Sequence, residues 1–142
     1  MQITRATEYA IRIILELALR NGSSEPVAIA DISEKQDIPV KYFRKLIIHL
    51  INAGLVRSYR GPKGGLMLAK PPEEITVYDV IKVSEGEMYL NVCLISDDEC
   101  GRQKFCPVHE VWEDTQRAML SVLDGVNFKT LAERNNQLNR TS

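Results

Sequence analysis

The chain has 142 residues, 44% of them apolar, and a formal net charge of −1, which fits one globular domain, or a small domain with an appended association element, rather than a disordered chain as the default. No stretch approaches the roughly 18 consecutive apolar residues of a membrane span, residues 11–19 are interrupted by Arg12 and Glu16, and no cleavage site follows a basic start, so a cytoplasmic protein is expected. The small net charge hides an asymmetry: residues 38–72 hold Lys41, Arg44, Lys45, Arg57, Arg60, Lys63 and Lys70 with no Asp or Glu, which leaves −8 on the remainder.

Taken in chain order, Thr4 reads as an N-cap for a first helix whose Ala6, Ala10, Ile13, Ile14, Leu17 and Ala18 recur at helical spacing. Asn21-Gly22 reads as its stop, because glycine tolerates the left-handed conformation of a helix end. A short second helix runs from Ile29 to Gln36, with Ala28 a poor cap. Ile38-Pro39 breaks the chain and opens a third helix through Ala53, closed by Gly54. Phe43, Leu46, Ile47 and Leu50 form its inner stripe, while Lys41, Arg44, Lys45 and Ile48 project from the other side. Residues 55–59 and 66–69 are strand-like, and Arg60-Gly61-Pro62-Lys63-Gly64-Gly65 between them has the glycines of a tight hairpin. Helix, short helix, turn, helix and hairpin is the winged helix-turn-helix order.

Pro71-Pro72 ends the wing, and Thr76 to Asp79 resembles a capping box opening a fourth helix to about Ser84. Residues 85–105 show no periodicity. Pro107 suits the first turn of a long helix, whose Val108, Val111, Trp112, Thr115, Met119, Val122 and Leu123 mark one face up to Asp124-Gly125. Asn127 caps a last short helix carrying Leu131, and the polar residues 135–142 read as a frayed tail.

The third helix has the chemistry for a major groove, which admits one α-helix. Lys41, Tyr42, Arg44 and Lys45 lie in its N-terminal half, where such helices touch bases and phosphates. Arg60 and Lys63 flank a tip narrow enough to enter a minor groove or lie along the backbone. The plain alternative is a solvated basic face. A nucleotide-binding loop does not fit, since the glycines lack the G-x-x-x-x-G-K-[ST] spacing and lead into a strand. His49, alone near the end of the third helix, reads as a surface or phosphate-contacting residue. No nucleophile motif points to an enzyme, and no small-molecule substrate is expected.

The three cysteines, Cys93, Cys100 and Cys106, fall within fourteen residues, with His109 three positions further on. An odd number of clustered thiols in a reducing compartment points to metal or redox chemistry rather than a structural disulfide. Structural zinc draws ligands from tight pairs two to four residues apart, so the gaps here suit it poorly. An iron–sulfur cluster, with a larger core, tolerates wider spacing on a loop. Unliganded surface thiols are the third possibility. A helix N-terminus at Pro107 would help stabilise an anionic group.

From Met1 to about Arg134 the chain resembles the IscR/NsrR-type family of bacterial winged-helix regulators. The resemblance rests on T-R-A-T-E-Y-A at the start, I-P-V-K-Y-F-R-K-L in the third helix and G-L-V-R-S-Y-R-G-P-K-G-G-L in the wing. The cysteine run with P-V-H, the Trp112 helix and T-L-A-E near the end follow in the family's order. It implies a homodimer that binds an iron–sulfur cluster and controls iron–sulfur assembly, iron, nitric oxide or redox-response genes, although some relatives lack the cysteines and bind no cluster. Cys93, Cys100 and Cys106 match the family's three thiolate ligands. The fourth ligand in the cluster-assembly regulators matches His109; in the nitric-oxide sensors it is an acidic residue of the partner's first helix, matching Glu8. His109 is preferred here, because it lies close in sequence to Cys106. The first cysteine gap is one residue longer than in the cluster-assembly type, so 2Fe–2S and 4Fe–4S both remain open.

The expectation is therefore a mainly α protein with a winged helix-turn-helix and a long C-terminal dimerisation helix. Three segments are expected: a DNA-binding domain at 1–84, a cluster-binding loop at 85–106, and a dimerisation helix with a tail at 107–142. The function expected is that of a cytoplasmic, homodimeric repressor of double-stranded DNA operators under iron–sulfur control. A cluster-free thiol sensor and a zinc-stabilised interaction module are the rivals.

Overall fold

A computed structural model describes residues 2–141; Met1 and Ser142, the outer limits of the first and last expected segments, lie outside them. The elements are α1 (Arg5–Leu19), α2 (Ile29–Gln36), α3 (Val40–Asn52), β1 (Val56–Tyr59), β2 (Gly65–Leu68), α4 (Val77–Glu85), α5 (Pro107–Asp124) and α6 (Phe128–Arg140). Short 3-10 turns lie at Pro72–Glu74, Val92–Leu94 and Gln103–Phe105. The result is a mainly helical winged helix-turn-helix with a two-stranded antiparallel wing.

Thr4 caps α1 by accepting from the Thr7 amide, as its sequence position predicts. The end of α1 differs from expectation. The helix stops at Arg20, and Gly22 does not take the positive φ assigned to it. The reason lies in a buried charge one turn back. Glu16, only 2% exposed, accepts from Arg20 Nε at 2.8 Å and from Gln36 Nε2 of α2 at 2.7 Å. Holding Arg20 in this way satisfies an anion that would be costly to bury alone. It also ties the end of α1 to α2.

The core forms where the apolar faces of these elements meet. Ala10, Ile13, Ile14 and Leu17 of α1 join Ile32 of α2, Phe43, Leu46, Ile47 and Leu50 of α3, Val56 and Leu66 of the wing, and Val80 of α4. The predicted inner stripe of α3 is thus buried, and its other side is left to solvent. The wing is a hairpin in which Val56 pairs with Leu68 and Tyr59 with Gly65. Val27 adds a bridge, exchanging two 2.8 Å backbone hydrogen bonds with Leu66. Gly65 must be glycine for this contact, since a Cβ there would lie 2.2 Å from the Val27 carbonyl oxygen. Gly61, at φ 107°, supplies the turn conformation that side chains resist.

α4 opens with the predicted capping box: Thr76 Oγ1 accepts from the Asp79 amide, and Asp79 accepts from the Thr76 amide. Its C-terminus closes on α1. Glu85 Oε1 accepts from the Thr4 amide at 3.0 Å, from the Thr4 hydroxyl at 2.5 Å and from the buried Thr7 hydroxyl.

α5 leans on α4 and on the Val92–Leu94 turn, yet none of its eighteen residues is buried. α6 is longer than the sequence reading allowed. Asn127 caps it as predicted, but helix continues to Arg140 where a frayed tail was expected. Phe128 and Ala132 are core residues, Leu131 packs against them, and α6 lies along α1. This anchorage, with no Gly or Pro to interrupt, carries the helix through the polar residues beyond Arg134. The C-terminal part of segment 107–142 therefore returns to the winged-helix core.

Candidate nucleic-acid interface and thiol loop

The helical period sorts α3 into a buried stripe and a solvent face. Lys41, Tyr42, Arg44 and Lys45 are all exposed, together with Val40, Ile48 and His49. The Lys41 ammonium lies 5.1 Å from the centre of the Tyr42 ring, and the Tyr42 ring centre lies 5.8 Å from that of Tyr9 on α1. Arg60 and Lys63 are exposed at the wing tip, and Arg57 on β1. No acidic residue lies between Ile38 and Pro72 to offset this face. Its chemistry is that of a phosphate-seeking surface with a helix ready for a groove.

The loop 86–106 carries the thiols. Its start is tied to α4, where Glu87 accepts from the Tyr78 hydroxyl at 2.9 Å and pairs with Lys82 Nζ at 3.1 Å. The Lys82 contact, then that of Tyr78, holds the Glu87 carboxyl below its ordinary range. Further on, the Leu90 amide donates to Gln116 Oε1 of α5 at 2.9 Å. Gln103 Nε2 donates to the carbonyls of Cys93 at 2.6 Å and Ser96 at 2.9 Å, tying the first cysteine's turn to the turn before Cys106. Cys93 is buried, Cys100 and Cys106 are partly exposed, and all three are free thiols.

Cys106 occupies the N-cap position of α5, and Pro107 starts the helix. His109 sits in its first turn with a side chain 16% exposed, its Nε2 3.4 Å from Glu113 Oε1. His109 Nδ1 is buried without a hydrogen-bond partner, the one such side-chain atom among the described residues. A carboxylate facing one ring nitrogen is the arrangement that leaves the other as a bare lone pair for a metal. Three free thiols and this nitrogen are donors of the kind an iron–sulfur group takes. Among the described residues, however, no three His, Cys, Asp or Glu side chains are gathered closely enough to hold a metal ion. Glu8, the alternative ligand, is engaged elsewhere: it pairs with Arg5 at 3.4 Å and closely with Arg12.

Sequence reasoning missed Gln103, Glu113 and Glu85. Glu113 stands four residues after His109 on one helix, so spacing alone could have found it. Gln103 bonds across the aperiodic loop and Glu85 over 81 positions, and no local signal marks either.

A helix-turn-helix with an exposed basic reading helix and a basic wing defines a DNA-binding transcription regulator. Residues 3–134 match the Rrf2 family, described as an iron-dependent transcriptional regulator. The chain belongs to that family, whose members are regulators rather than enzymes. It is 36% identical over 131 residues to the HTH-type transcriptional regulator IscR of Aliivibrio salmonicida, covering 92% of this chain and 77% of that one. Among solved structures it resembles CymR, the global cysteine regulator of B. subtilis, with a TM-score of 0.79 and 30% identity over 94% of this chain and 98% of the other. It also resembles the IscR of T. potens, with a TM-score of 0.74 and 30% identity over 94% and 88%. No helix among the described residues is long and apolar enough to cross a membrane.

Proposed function

We propose that this regulator is a homodimeric repressor, working in the cytoplasm, whose hold on its operator is set by an iron–sulfur cluster on the loop 86–106. The observation that carries the reading is His109 Nδ1, buried and unpartnered one turn beyond Cys106 while Glu113 faces the other nitrogen. Cys93, Cys100, Cys106 and His109 would hold the group, and its bound chemistry would supply the response to iron, oxidant or nitric oxide. Gathering the three thiols requires the loop to adjust, since they are not converged as it stands. The arginine pairs around Glu8 favour His109 as fourth ligand. Segment 1–84 is read as the DNA-reading head, with α6 restored to it, and α5 as the dimer helix. Lys41, Tyr42, Arg44 and Lys45 address the major groove, and Arg60 and Lys63 the adjacent backbone or minor groove.

Such a design links loop to operator by population shift: a group bound better by one dimer arrangement must favour that arrangement. The test is anaerobic purification with iron, sulfide and zinc analysis, alongside operator binding of the loaded and stripped protein. Iron and sulfide in the protein, lost or spectrally altered in His109→Ala and retained in Glu8→Ala, is the expected result. The reverse pattern transfers the ligand role to Glu8, and zinc without sulfide rejects the cluster.

A second reading is favoured by the unconverged thiols and by the likeness to CymR. In it the same three cysteines sense thiol oxidation directly, with no cluster. Metal-free protein whose operator affinity changes on oxidation and recovers with reductant would establish that alternative.

A further inference from the structure

Beside the reading helix lies a cleft of about 560 Å³, walled by the first turns of α1, the flank of α3 and Ser84 at the end of α4. Its residues on α3 are Lys41, Tyr42, Lys45, Leu46 and His49, and those on α1 are Arg5, Ala6 and Tyr9. No Asp or Glu lines it. On α3 the exposed residues form two lines: 41, 44 and 48 run along one side, while 42, 45 and 49 run along the next. The second line is the one that closes on α1 through the Tyr9–Tyr42 ring contact. The cleft therefore borders the reading face, overlapping it at Lys41, and it joins two helices rather than belonging to one.

From this we infer that the cleft is a seat for a backbone phosphate of the operator, which adds Arg5 and Tyr9 of α1 to the DNA interface. The inference rests on the proposal that α3 enters a major groove. A helix there presents its flanks to the sugar–phosphate strands, and contacts to those strands fix the protein's register without reading sequence. The cleft offers what a phosphate needs: cationic Arg5 and Lys45, and the phenolic hydroxyls of Tyr9 and Tyr42 as donors. Arg5 is available for the task. Its pairing with Glu8 spans 3.4 Å between side chains 72% and 41% exposed, a solvent-screened contact that a phosphate can displace. The division of labour follows: Arg44 on the first line discriminates bases, while Arg5 and Lys45 hold the strand at any sequence.

The test uses the full-length dimer and a duplex operator in salt titrations. Arg5→Ala and Lys45→Ala should each reduce the slope of log affinity against log salt by about 0.9, one phosphate's share. Carried from 1 M salt to 0.15 M, that is a loss of about fivefold in affinity. Arg5→Lys, which keeps the charge, should retain the wild-type slope. Single methylphosphonate linkages, moved stepwise along the strand flanking a half-site, should reveal one neutralised phosphate that weakens wild type and leaves Arg5→Ala indifferent. An unchanged slope in Arg5→Ala, or an unaltered methylphosphonate profile, overturns the inference. Arg60→Ala is the discriminating control. If it lowers the slope while Arg5→Ala does not, the cleft is not a phosphate seat although the winged helix still binds DNA. If neither variant shifts the slope, the DNA-reading assignment falls with it.

Discussion

Glu85 shows how one side chain can join the two halves of the regulator. Its carboxylate receives the Thr4 amide and two threonine hydroxyls at the start of α1, and it stands immediately before the thiol loop. The Thr4 hydroxyl, then the Thr7 hydroxyl, holds its pKa below the ordinary glutamate value. The sign follows directly. A depressed carboxyl contributes stability above the unfolded glutamate range and loses it as pH falls through the folded value. Because the residue is exposed, the contribution is discounted for solvent to about 1 kcal/mol at neutral pH. Glu85→Gln should lower the melting temperature by about 3 °C at neutral pH. The gap from wild type should close in acid. Thermal melts across that range test this, and a gap that stays constant refutes the carboxylate's role.

Among the elements, α5 is the one whose surroundings are incomplete. Its His109, Gln116 and Leu123 are turned enough toward α4 and the loop to be partly covered. Val108, Val111, Trp112 and Val122 remain 36% to 67% exposed. A helix of eighteen residues spans about 27 Å, enough for an isologous pairing across a twofold axis. Trp112→Ala should lower operator affinity and shift the protein from dimer to monomer at micromolar concentration, with helix content unchanged. Light scattering checks the first state and circular dichroism the second; a dimer that survives Trp112→Ala and Val111→Asp together places the interface elsewhere. The apolar face of α5 was legible from spacing, as were the Thr4 cap, the capping box at Thr76 and the inner stripe of α3, because each depends on residues within one or two turns. The full length of α6 was not, since its last two turns are polar and are carried by anchorage on α1. The Glu85 bond to Thr4, spanning 81 positions, has no local trace at all. For the thiol loop, sequence offered candidate donors but not their arrangement, because a segment without periodicity leaves its conformation to tertiary contacts.

At the scale of the whole molecule, the decisive feature is that the chain closes on itself. The α5–α6 junction is stitched to the start of α4 and the residues just before it: the Val77 amide donates to Val126, the Phe128 amide to Ile75, and the Thr76 hydroxyl to Asp124. Phe128, fully buried, then completes a core begun by Ala10 and Ile14. Phe128→Ala should cost about 3–5 kcal/mol, a large part of the roughly 5–15 kcal/mol that holds a domain together. The expected readout is a large fall in melting temperature accompanied by loss of DNA binding, although the residue lies far in sequence from α3. A variant that melts normally would show that the winged helix stands without α6. The same closure sets an order of events during synthesis. Phe128 leaves the ribosome thirty-five residues after Cys93, an interval of roughly two to seven seconds at common elongation rates of about 5–20 residues per second. The newborn chain thus displays its three thiols before it owns a finished core.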